Sequence, residues 1–254
     1  MERKTILEVE NLHRRFGGLH AVNDVSFQVA SGQIKAVIGP NGAGKTTLFN
    51  LISGALTPTA GMVRFQGREI QGRRPHEIAA LGMARTYQNI KMFAGMTALE
   101  NVMVGRHIQS SAGFLASMFH APWTWPQEKA VLEKSMELLE LLEIADCAQT
   151  LATSLAFGQQ RAVELARALA MEPTLLLLDE PAAGLNIYET AEVGRLITKI
   201  RDLGITVLLV EHDMSLVMDI SDEIVVLSFG QKIAEDLPPA IQKNPEVIKI
   251  YLGE

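Results

Sequence analysis

Residues 39–46 read GPNGAGKT, and this glycine-rich stretch constrains the fold more than any other part of the sequence. An apolar run at residues 33–38 comes before it, and apolar residues at helical spacing follow it up to Gly54. The order strand, glycine loop, helix turns several backbone N–H groups toward one point at a helix N-terminus, where a phosphate group binds. The sequence therefore predicts a phosphate-binding loop within an α/β fold. The alternative is a glycine turn that happens to precede a lysine.

Lys45 and Thr46 add charge and metal chemistry to this loop. The ammonium group of Lys45 would neutralise the outer phosphates of a nucleotide, and the Thr46 hydroxyl would bind magnesium. The predicted nucleotide contacts of the loop are Gly39, Asn41, Gly42, Ala43, Gly44, Lys45, Thr46 and Thr47.

Two adjacent acids, Asp179 and Glu180, end the apolar run at residues 175–178. Ligands of open α/β sheets bind at the carboxyl edge of the parallel strands, and a phosphate loop needs an acid for its magnesium. We therefore predict that Asp179 lies in the magnesium shell and that Glu180 orients the attacking water. Strands that simply end in polar residues are the alternative.

His212 follows another apolar strand, in VLLVEHD, and so falls on the same edge of the sheet. A neutral imidazole there could hydrogen-bond the terminal phosphate, although a lone histidine at a strand end is more often a surface or packing residue. A second helix N-terminus stands in LAFGQQR, at Gly158 and Gln159. It presents free N–H donors that could serve a nucleotide held by another copy or a partner, or it is the ordinary start of a core helix.

Composition narrows the class of protein. The 254 residues are 48% apolar, which supplies a core, and the net charge of −6 gives no general attraction to nucleic acid. Arginines at residues 64–74 are interrupted by Glu69 and predict a solvated turn surface. Cys147 is the single cysteine and is predicted to lie buried in a helical stretch, which fits a reducing compartment. We find no apolar run long enough to span a membrane and no secretion signal.

The pattern along the chain predicts three regions. Half-buried strands at residues 6–9 and 25–29 indicate an antiparallel opening. The middle third is predicted to be mainly helical, with an amphipathic helix at residues 127–145 and a long loop or helical hairpin of unassigned function at residues 110–126. Strands at residues 175–178, 206–210 and 224–227 alternate with helices and predict a parallel sheet covered on both faces.

In chain order, GPNGAGKTT, RTYQN, LAFGQQR, LLLLDEP, AAGLN and EHD resemble the motifs of the ATP-binding cassette (ABC) ATPase domain, over nearly the whole chain. The resemblance implies ATP and Mg²⁺ as cofactors and a P-loop core with a mixed sheet, an N-terminal antiparallel β part and a helical subdomain. It also implies one ABC ATPase domain over residues 1–254. The core and β part would occupy residues 1–87 and 160–254, and the helical subdomain with its signature loop residues 88–159.

The same resemblance implies roles for individual residues. Gln88 would sense magnesium or the attacking water and act with Glu180 and His212 in catalysis. Phe16 would stack on adenine, although an aromatic residue in a turn is usually there for packing, and Val22 would contact the nucleotide beside it.

Two motifs of the resemblance depart from the family pattern. The signature loop at residues 154–160, including Gly158 and Gln159, would reach a nucleotide across a dimer, but Ala156 stands where the family has serine. One neutral hydrogen bond is worth only about 1 kcal/mol, so we expect a weakened but functional cradle. The loop between the two sites, residues 182–186, ends in Asn186 instead of an acid, which keeps hydrogen bonding and loses charge.

A closer resemblance lies in RFGGLHAVNDVSF, EHDMSLVMDISDEIVVL and NPEVIKIYLGE, which are similar to the ATP-binding subunits of branched-chain amino-acid importers. It implies permease subunits and a second ATPase subunit as partners, in a homodimer or, by preference, a heterodimer. It also implies a cytoplasmic position at the inner face of the cell membrane. The methionines and Phe93 at residues 89–103 could form the dock for a permease helix or fill the subdomain core.

Three other functions stay open at this point. Lipopolysaccharide-export ATPases share the YLGE-like ending. A soluble ABC ATPase acting on ribosomes or DNA would normally carry two cassettes or a coiled-coil insertion and a basic surface. A small-molecule P-loop kinase would explain residues 39–46 but not Gly158, Gln159 or His212.

Overall fold

The computed structural model describes residues 4–106 and 125–252, which fall into two compact units. One unit runs up to Gln88 and resumes at Thr174, and the other runs from Asn89 to Pro173. The boundary predicted at residue 160 falls inside a helix, Phe157–Leu169, that lies wholly in the second unit. That helix packs so closely on the helix Ala98–Arg106 that a Cβ atom at Gly105 would stand 2.2 Å from the Arg167 carbonyl oxygen.

Among the described residues, the first unit contains two β-sheets. Its strands are β1 (Thr5–Phe16), β2 (Leu19–Ala30), β3 (Ile34–Ile38), β4 (Ala60–Phe65), β5 (Arg68–Glu69), β6 (Met83–Arg85), β7 (Leu175–Asp179), β8 (Thr206–Val210), β9 (Glu223–Ser228) and β10 (Gln231–Asp236). The antiparallel sheet has the order β2-β1-β4-β5, and the second sheet the order β10-β9-β3-β8-β7-β6. Strands β6, β7, β8, β3 and β9 are parallel, and β10 is antiparallel to β9. The predicted mixed sheet and antiparallel opening are both confirmed.

The apolar runs explain which strands lie in the centre. Every residue of β3, β7 and β8 is buried, as a parallel strand covered on both faces requires. The helices of this unit are α1 (Lys45–Ile52) and α2 (Pro75–Ala79), then, after the second unit, α6 (Ile187–Asp202), α7 (Met214–Ile220), α8 (Pro238–Ile241) and α9 (Pro245–Leu252). Because parallel strands end at a common edge, β3 and β7 deliver the glycine loop and the acid pair to the same side of the sheet.

Charges buried on β3 tie the last two strands to the centre of the sheet. Lys35 is 1% exposed, and its Nζ atom lies 2.9 Å from Glu223 Oε2 on β9 and 2.5 Å from Glu235 Oε1 on β10. Lys232 Nζ adds a second contact to Glu235, at 2.6 Å. Because a buried ammonium group needs compensating partners, this cluster anchors the base of the β9–β10 hairpin.

The second unit is helical, with α3 (Ala98–Arg106), α4 (Trp125–Leu141) and α5 (Phe157–Leu169). The predicted helix end at residue 145 is wrong, because α4 ends at Leu141. Glu143 takes a left-handed φ of 61°, and the Ile144 N–H donates to the Leu139 carbonyl at 2.9 Å, which closes the helix. Cys147 consequently lies in a separate 3₁₀ turn and is only half-buried. The predicted loop at residues 110–126 lies outside the described residues except for its last two, which begin α4.

Within residues 4–106 and 125–252, none of the helices combines the length and the hydrophobicity that crossing a bilayer would require.

Candidate active site

The glycine loop lies between two hairpins that approach it too closely for a side chain. Gly39 has a φ of 151°, and a Cβ atom there would stand 2.1 Å from the Leu227 carbonyl oxygen of β9. Gly44 has a φ of 99°, and its Cβ atom would stand 2.3 Å from the Ala21 carbonyl oxygen of β2. At both positions an alanine would be strained and would also collide with backbone, so glycine is required.

Lys45 opens α1 and is held inside the loop. Its Nζ atom donates to the Gly39 carbonyl at 2.6 Å and to the Pro40 carbonyl at 3.1 Å, and the residue is only 7% exposed. Burial lowers the pKa of Lys45, while the charges of Glu180, Asp179 and Glu211 act in the opposite direction. The Lys45 amine group lies inside the loop, where the outer phosphates of an anionic ligand would enter.

A cleft of about 420 Å³ extends from this loop. Its wall combines the loop and the start of α1 with Glu180 and with residues of the two hairpins. Phe16 is half-exposed and lines the cleft, whereas Val22 has no exposed surface and packs in the hydrophobic core instead. The residues lining the cleft are Phe16, Leu19, His20, Ala21, Asn41, Gly42, Ala43, Gly44, Lys45, Thr46, Thr47, Glu180 and Phe229.

The three predicted catalytic residues come together at the carboxyl edge of the sheet. Gln88 Nε2 donates to Glu180 Oε2 at 2.8 Å, and His212 Nδ1 lies 3.8 Å from the same oxygen atom. Glu180 takes a left-handed φ of 49°, and its N–H donates to the Val210 carbonyl at 2.9 Å. Because a neighbouring strand holds the strained backbone of Glu180, the residue presents its carboxylate from a fixed position, which suits a group that must orient water.

Glu211 was missed by sequence reasoning, although it organises this edge. The side chain is fully buried, and it accepts hydrogen bonds from the N–H groups of Ala182 at 2.8 Å, His212 at 2.8 Å and Asp213 at 3.1 Å. It thereby fixes the loop after β7 and the residue that carries the imidazole. Its place directly after the apolar strand β8 repeats the position of Glu180 directly after β7, and that repeat is the signal that could have found it.

Asp179, the predicted magnesium ligand, forms a buried ion pair. Arg85 Nη2 lies 2.8 Å from Asp179 Oδ2, and Arg85 Nη1 donates to Asn50 Oδ1 at 2.8 Å and to Ser53 Oγ at 2.7 Å. The Arg85 guanidinium group therefore joins the end of α1 to the end of β7, and it holds the Asp179 carboxylate in one orientation.

Thr46, Gln88 and Asp179 offer a hydroxyl, an amide and a carboxylate, which are the oxygen donors that magnesium binds. The described residues contain no cluster of three or more His, Cys, Asp or Glu side chains arranged to hold a metal. A magnesium site that substrate phosphates and water complete needs only one protein carboxylate. The residues present fit the ion.

We expect the variant Arg85→Met to lower the free energy of unfolding by about 3–5 kcal/mol, because it leaves Asp179 as a buried charge without its partner. The two side chains are 7% and 5% exposed, so solvent screening is weak. Urea denaturation followed by circular dichroism measures the change. The matched variant Arg195→Met removes an exposed pair with Glu192 and should leave the midpoint almost unchanged. An equally small effect of Arg85→Met would show that Asp179 is solvated.

In the second unit, Gly158 and Gln159 lie in the first turn of α5. Ala156 occupies the N-cap position, and its N–H donates to Gln159 Oε1 at 3.1 Å. Gln159 Nε2 lies 3.2 Å from Cys147 Sγ, so this glutamine is held on both sides. Ala156 has no side-chain oxygen with which to cap the helix, and the family's serine would supply one.

The loop at residues 182–186 leads into α6. Asn186 caps that helix by accepting hydrogen bonds from the N–H groups of Tyr188 at 2.9 Å and Glu189 at 3.1 Å. Glu189 Oε2 accepts in return from the Asn186 N–H at 2.9 Å, which completes a capping box. The amide oxygen thus makes the hydrogen bonds that a carboxylate would make at this position.

The methionine-rich stretch at residues 89–103 has a buried part and an exposed part. Val102 is buried in the second unit, whereas Phe93 and Met96 are exposed. The loop that carries them is pinned by Asn101 Oδ1, which accepts from the Phe93 N–H at 2.9 Å, and by Arg167, whose Nη1 donates to the Lys91 carbonyl at 2.8 Å. Part of the stretch fills the core, and the exposed part is a fixed apolar surface.

A glycine loop with its lysine, an acid pair at the end of β7 and a histidine after β8 define a P-loop ATPase of the ABC class. The profile of the family described as ABC transporter matches residues 22–183, and the profile described as branched-chain amino acid ATP-binding cassette transporter matches residues 231–254. The chain belongs to the ABC transporter ATPases, which bind and hydrolyse ATP to drive transport, and within them to the branched-chain amino-acid transporter family.

Individual relatives agree with this assignment. The chain is 48% identical to the high-affinity branched-chain amino acid transport ATP-binding protein BraF of Pseudomonas aeruginosa, covering 99% of each chain. It is 41% identical to LivG of Escherichia coli K12, covering 98% of each. A solved nucleotide-free ATP-binding cassette from an ABC transporter superposes with a TM-score of 0.86 at 34% identity, covering 99% of this chain and 100% of that one.

Proposed function

We propose that this chain powers the import of branched-chain amino acids, as one of two ATPase subunits attached to permease subunits at the cytoplasmic face of the cell membrane. The single observation that carries the catalytic part is the convergence of Gln88, His212 and the glycine loop on Glu180. The substrate part rests on the relatives named above. Phe93 and Met96 supply an apolar surface for a permease helix.

ATP binding in this proposal depends on the loop. Its backbone N–H groups and Lys45 hold the β- and γ-phosphates, and the Thr46 hydroxyl and the Asp179 carboxylate would hold magnesium together with Gln88. Magnesium, when bound, neutralises part of the charge that develops on the phosphates. Arg85 keeps the Asp179 carboxylate in one orientation, so the donor set is arranged before the nucleotide arrives.

Hydrolysis depends on the groups around Glu180. Its Oε2 atom, fixed by Gln88, accepts a hydrogen bond from the attacking water and aligns it with the γ-phosphorus atom. The imidazole of His212 hydrogen-bonds the γ-phosphate oxygens. The P–O bond to the leaving ADP breaks as the bond to the water oxygen forms, and the water proton passes to the base or to phosphate.

A second subunit completes the site in this proposal. The N-terminal turn of α5, with Gly158 and Gln159, offers backbone donors to the terminal phosphate held by the partner subunit. ATP would then join two subunits, and hydrolysis would let them separate, which moves the permease.

Purification of the tagged chain from detergent-solubilised membranes of its own organism tests the assembly. We expect permease subunits and a second, different ATPase subunit to copurify, and we expect leucine, isoleucine or valine uptake to depend on the chain. Recovery of the chain alone from the soluble fraction would favour a soluble ABC ATPase, and copurification with lipopolysaccharide-export components would favour the export function. A homodimer in the active complex would remove the heterodimer from the proposal.

We expect Ala156→Ser to raise the ATPase activity of the assembled complex and to stabilise the chain by about 1 kcal/mol, because the hydroxyl caps α5 and adds a donor. Steady-state phosphate release and thermal unfolding measure the two effects. The matched variant Ala130→Ser places the same hydroxyl on an exposed helical position and should change neither. If Ala156→Ser raises stability and leaves activity unchanged, the weakened-cradle interpretation is wrong.

A further inference from the structure

Phe229 is an exposed apolar residue with a strained backbone conformation. It forms the turn between β9 and β10, has a left-handed φ of 45° and is 90% exposed, more than any other large apolar residue within the described ranges. A left-handed backbone costs a residue other than glycine about 1–3 kcal/mol, and such strain is concentrated at functional sites. Neither the backbone nor the burial of Phe229 explains why phenylalanine occupies this turn.

The turn that carries Phe229 is attached to the glycine loop. The Gly230 N–H donates to the Ala43 carbonyl at 3.0 Å, and the Gly230 carbonyl accepts from the Asn23 N–H at 2.7 Å. At the other end of the hairpin, Lys35 holds Glu223 and Glu235. Because both ends are fixed, Phe229 is presented by a rigid element.

Phe229 also faces the nucleotide cleft. It lines the cleft together with Phe16 and Leu19, two more exposed apolar side chains, whereas Lys45 and Thr46 line its phosphate-binding part. The lining of the cleft therefore includes a lysine suited to the triphosphate and three large apolar side chains, two of them aromatic. A nucleobase presents an apolar face that stacks on aromatic rings, so it is the part of ATP that matches these side chains.

We propose that Phe229 contacts the nucleobase of ATP and acts with Phe16 as a second aromatic wall of the base-binding region. This inference rests on the proposed ATP site and extends it to a residue of the β9–β10 turn. It assigns a function to the strained backbone, because the turn places the ring at the edge of the cleft.

The test compares ATP with inorganic triphosphate, which lacks the base. In the full-length chain, Phe229→Asn keeps a residue that tolerates a left-handed φ and removes the ring. We expect calorimetry to show ATP affinity reduced about tenfold, the effect of losing one base–aromatic contact, with triphosphate affinity unchanged. We also expect the nucleotide-free variant to unfold at a higher temperature than the wild-type chain, because the strain is relieved.

Three controls separate the possible outcomes. Phe229→Tyr keeps an aromatic ring and should retain ATP affinity, and Leu203→Asn removes an exposed apolar side chain outside the cleft and should change neither ligand. Equal losses of ATP affinity and triphosphate affinity in Phe229→Asn would overturn the inference. Unchanged ATP affinity together with altered activity of the assembled complex would also overturn it, because the ring would then contact a partner. Lys45→Ala tests the site itself, because retention of both ligands by that variant would refute the proposed function.

Discussion

Replacing Lys45 with alanine is expected to abolish measurable ATP binding. The ammonium group is the main positive charge within the described part of the cleft, and it is held by the Gly39 and Pro40 carbonyls at the place where the outer phosphates would lie. Charge-assisted hydrogen bonds to phosphate are about twice as strong as neutral ones, and a desolvated site increases their strength. Calorimetric titration with ATP measures the loss.

The fold must survive for this result to be informative. Lys45→Met keeps most of the buried stem without the charge, so a variant that unfolds as alanine can be tested again as methionine. Lys129→Ala removes an exposed lysine of α4 and should bind ATP as the wild-type chain does. ATP affinity within a factor of two of wild type in a folded Lys45 variant would refute the assignment of this lysine to the phosphates.

Replacing Glu180 with glutamine is expected to leave ATP binding intact and to lower turnover by a factor of about 10²–10⁴. Glutamine has the same shape and still accepts from Gln88 through its amide oxygen, but it cannot serve as a base and carries no charge to orient water. The positive φ at residue 180 is unchanged, so the loop geometry should persist. Single-turnover hydrolysis in the assembled complex measures the loss of turnover, and a separate measurement of ATP affinity shows whether binding is intact.

An exposed carboxylate outside the cleft serves as the control for Glu180→Gln. Glu192→Gln alters an exposed acid of α6 and should hydrolyse ATP at the wild-type rate. Turnover of the Glu180→Gln chain above a tenth of the wild-type rate would remove Glu180 from the role of base and would leave positioning by Gln88 and His212 as the main contribution.

Much of the core fold followed from local patterns. The glycine loop was predicted from its own motif. The acid pair at the end of β7 and the histidine that follows β8 were predicted because parallel strands end at one edge of a sheet, so their ends meet in space. Largely apolar runs identified β3, β7 and β8, because strands covered on both faces are apolar along most of their length. Lys35 is the exception within β3. These features depend on short segments, and a single sequence contains them.

Other parts of the site depend on contacts that short segments do not encode. Arg85 reaches Asp179 because β6 lies beside β7, and nothing near residue 85 indicates that neighbour. Phe229 lines the cleft because its hairpin folds against the glycine loop. Val22 was placed in the cleft by resemblance, but its side chain is fully buried in the hydrophobic core, and His20 and Ala21 line the cleft instead.

The end of α4 was missed for a local reason. Apolar residues continue beyond Leu141, at Leu142 and Ile144, but Glu143 adopts the left-handed conformation that usually requires glycine or asparagine. Because a glutamate and not a glycine or asparagine ends this helix, the sequence contains no signal for its C-terminus.

The position of β3 between β8 and β9 has a consequence for biosynthesis. The strand that leads into the glycine loop is translated early, but both strands that flank it are translated near the end of the chain. A ribosome-bound intermediate that has released only the N-terminal half therefore has an unpaired central strand, with its backbone groups and apolar faces unprotected. Such an intermediate cannot assemble the cleft, so nascent chains should depend on chaperones until the C-terminal hairpin emerges, and truncated chains should aggregate without ever binding nucleotide.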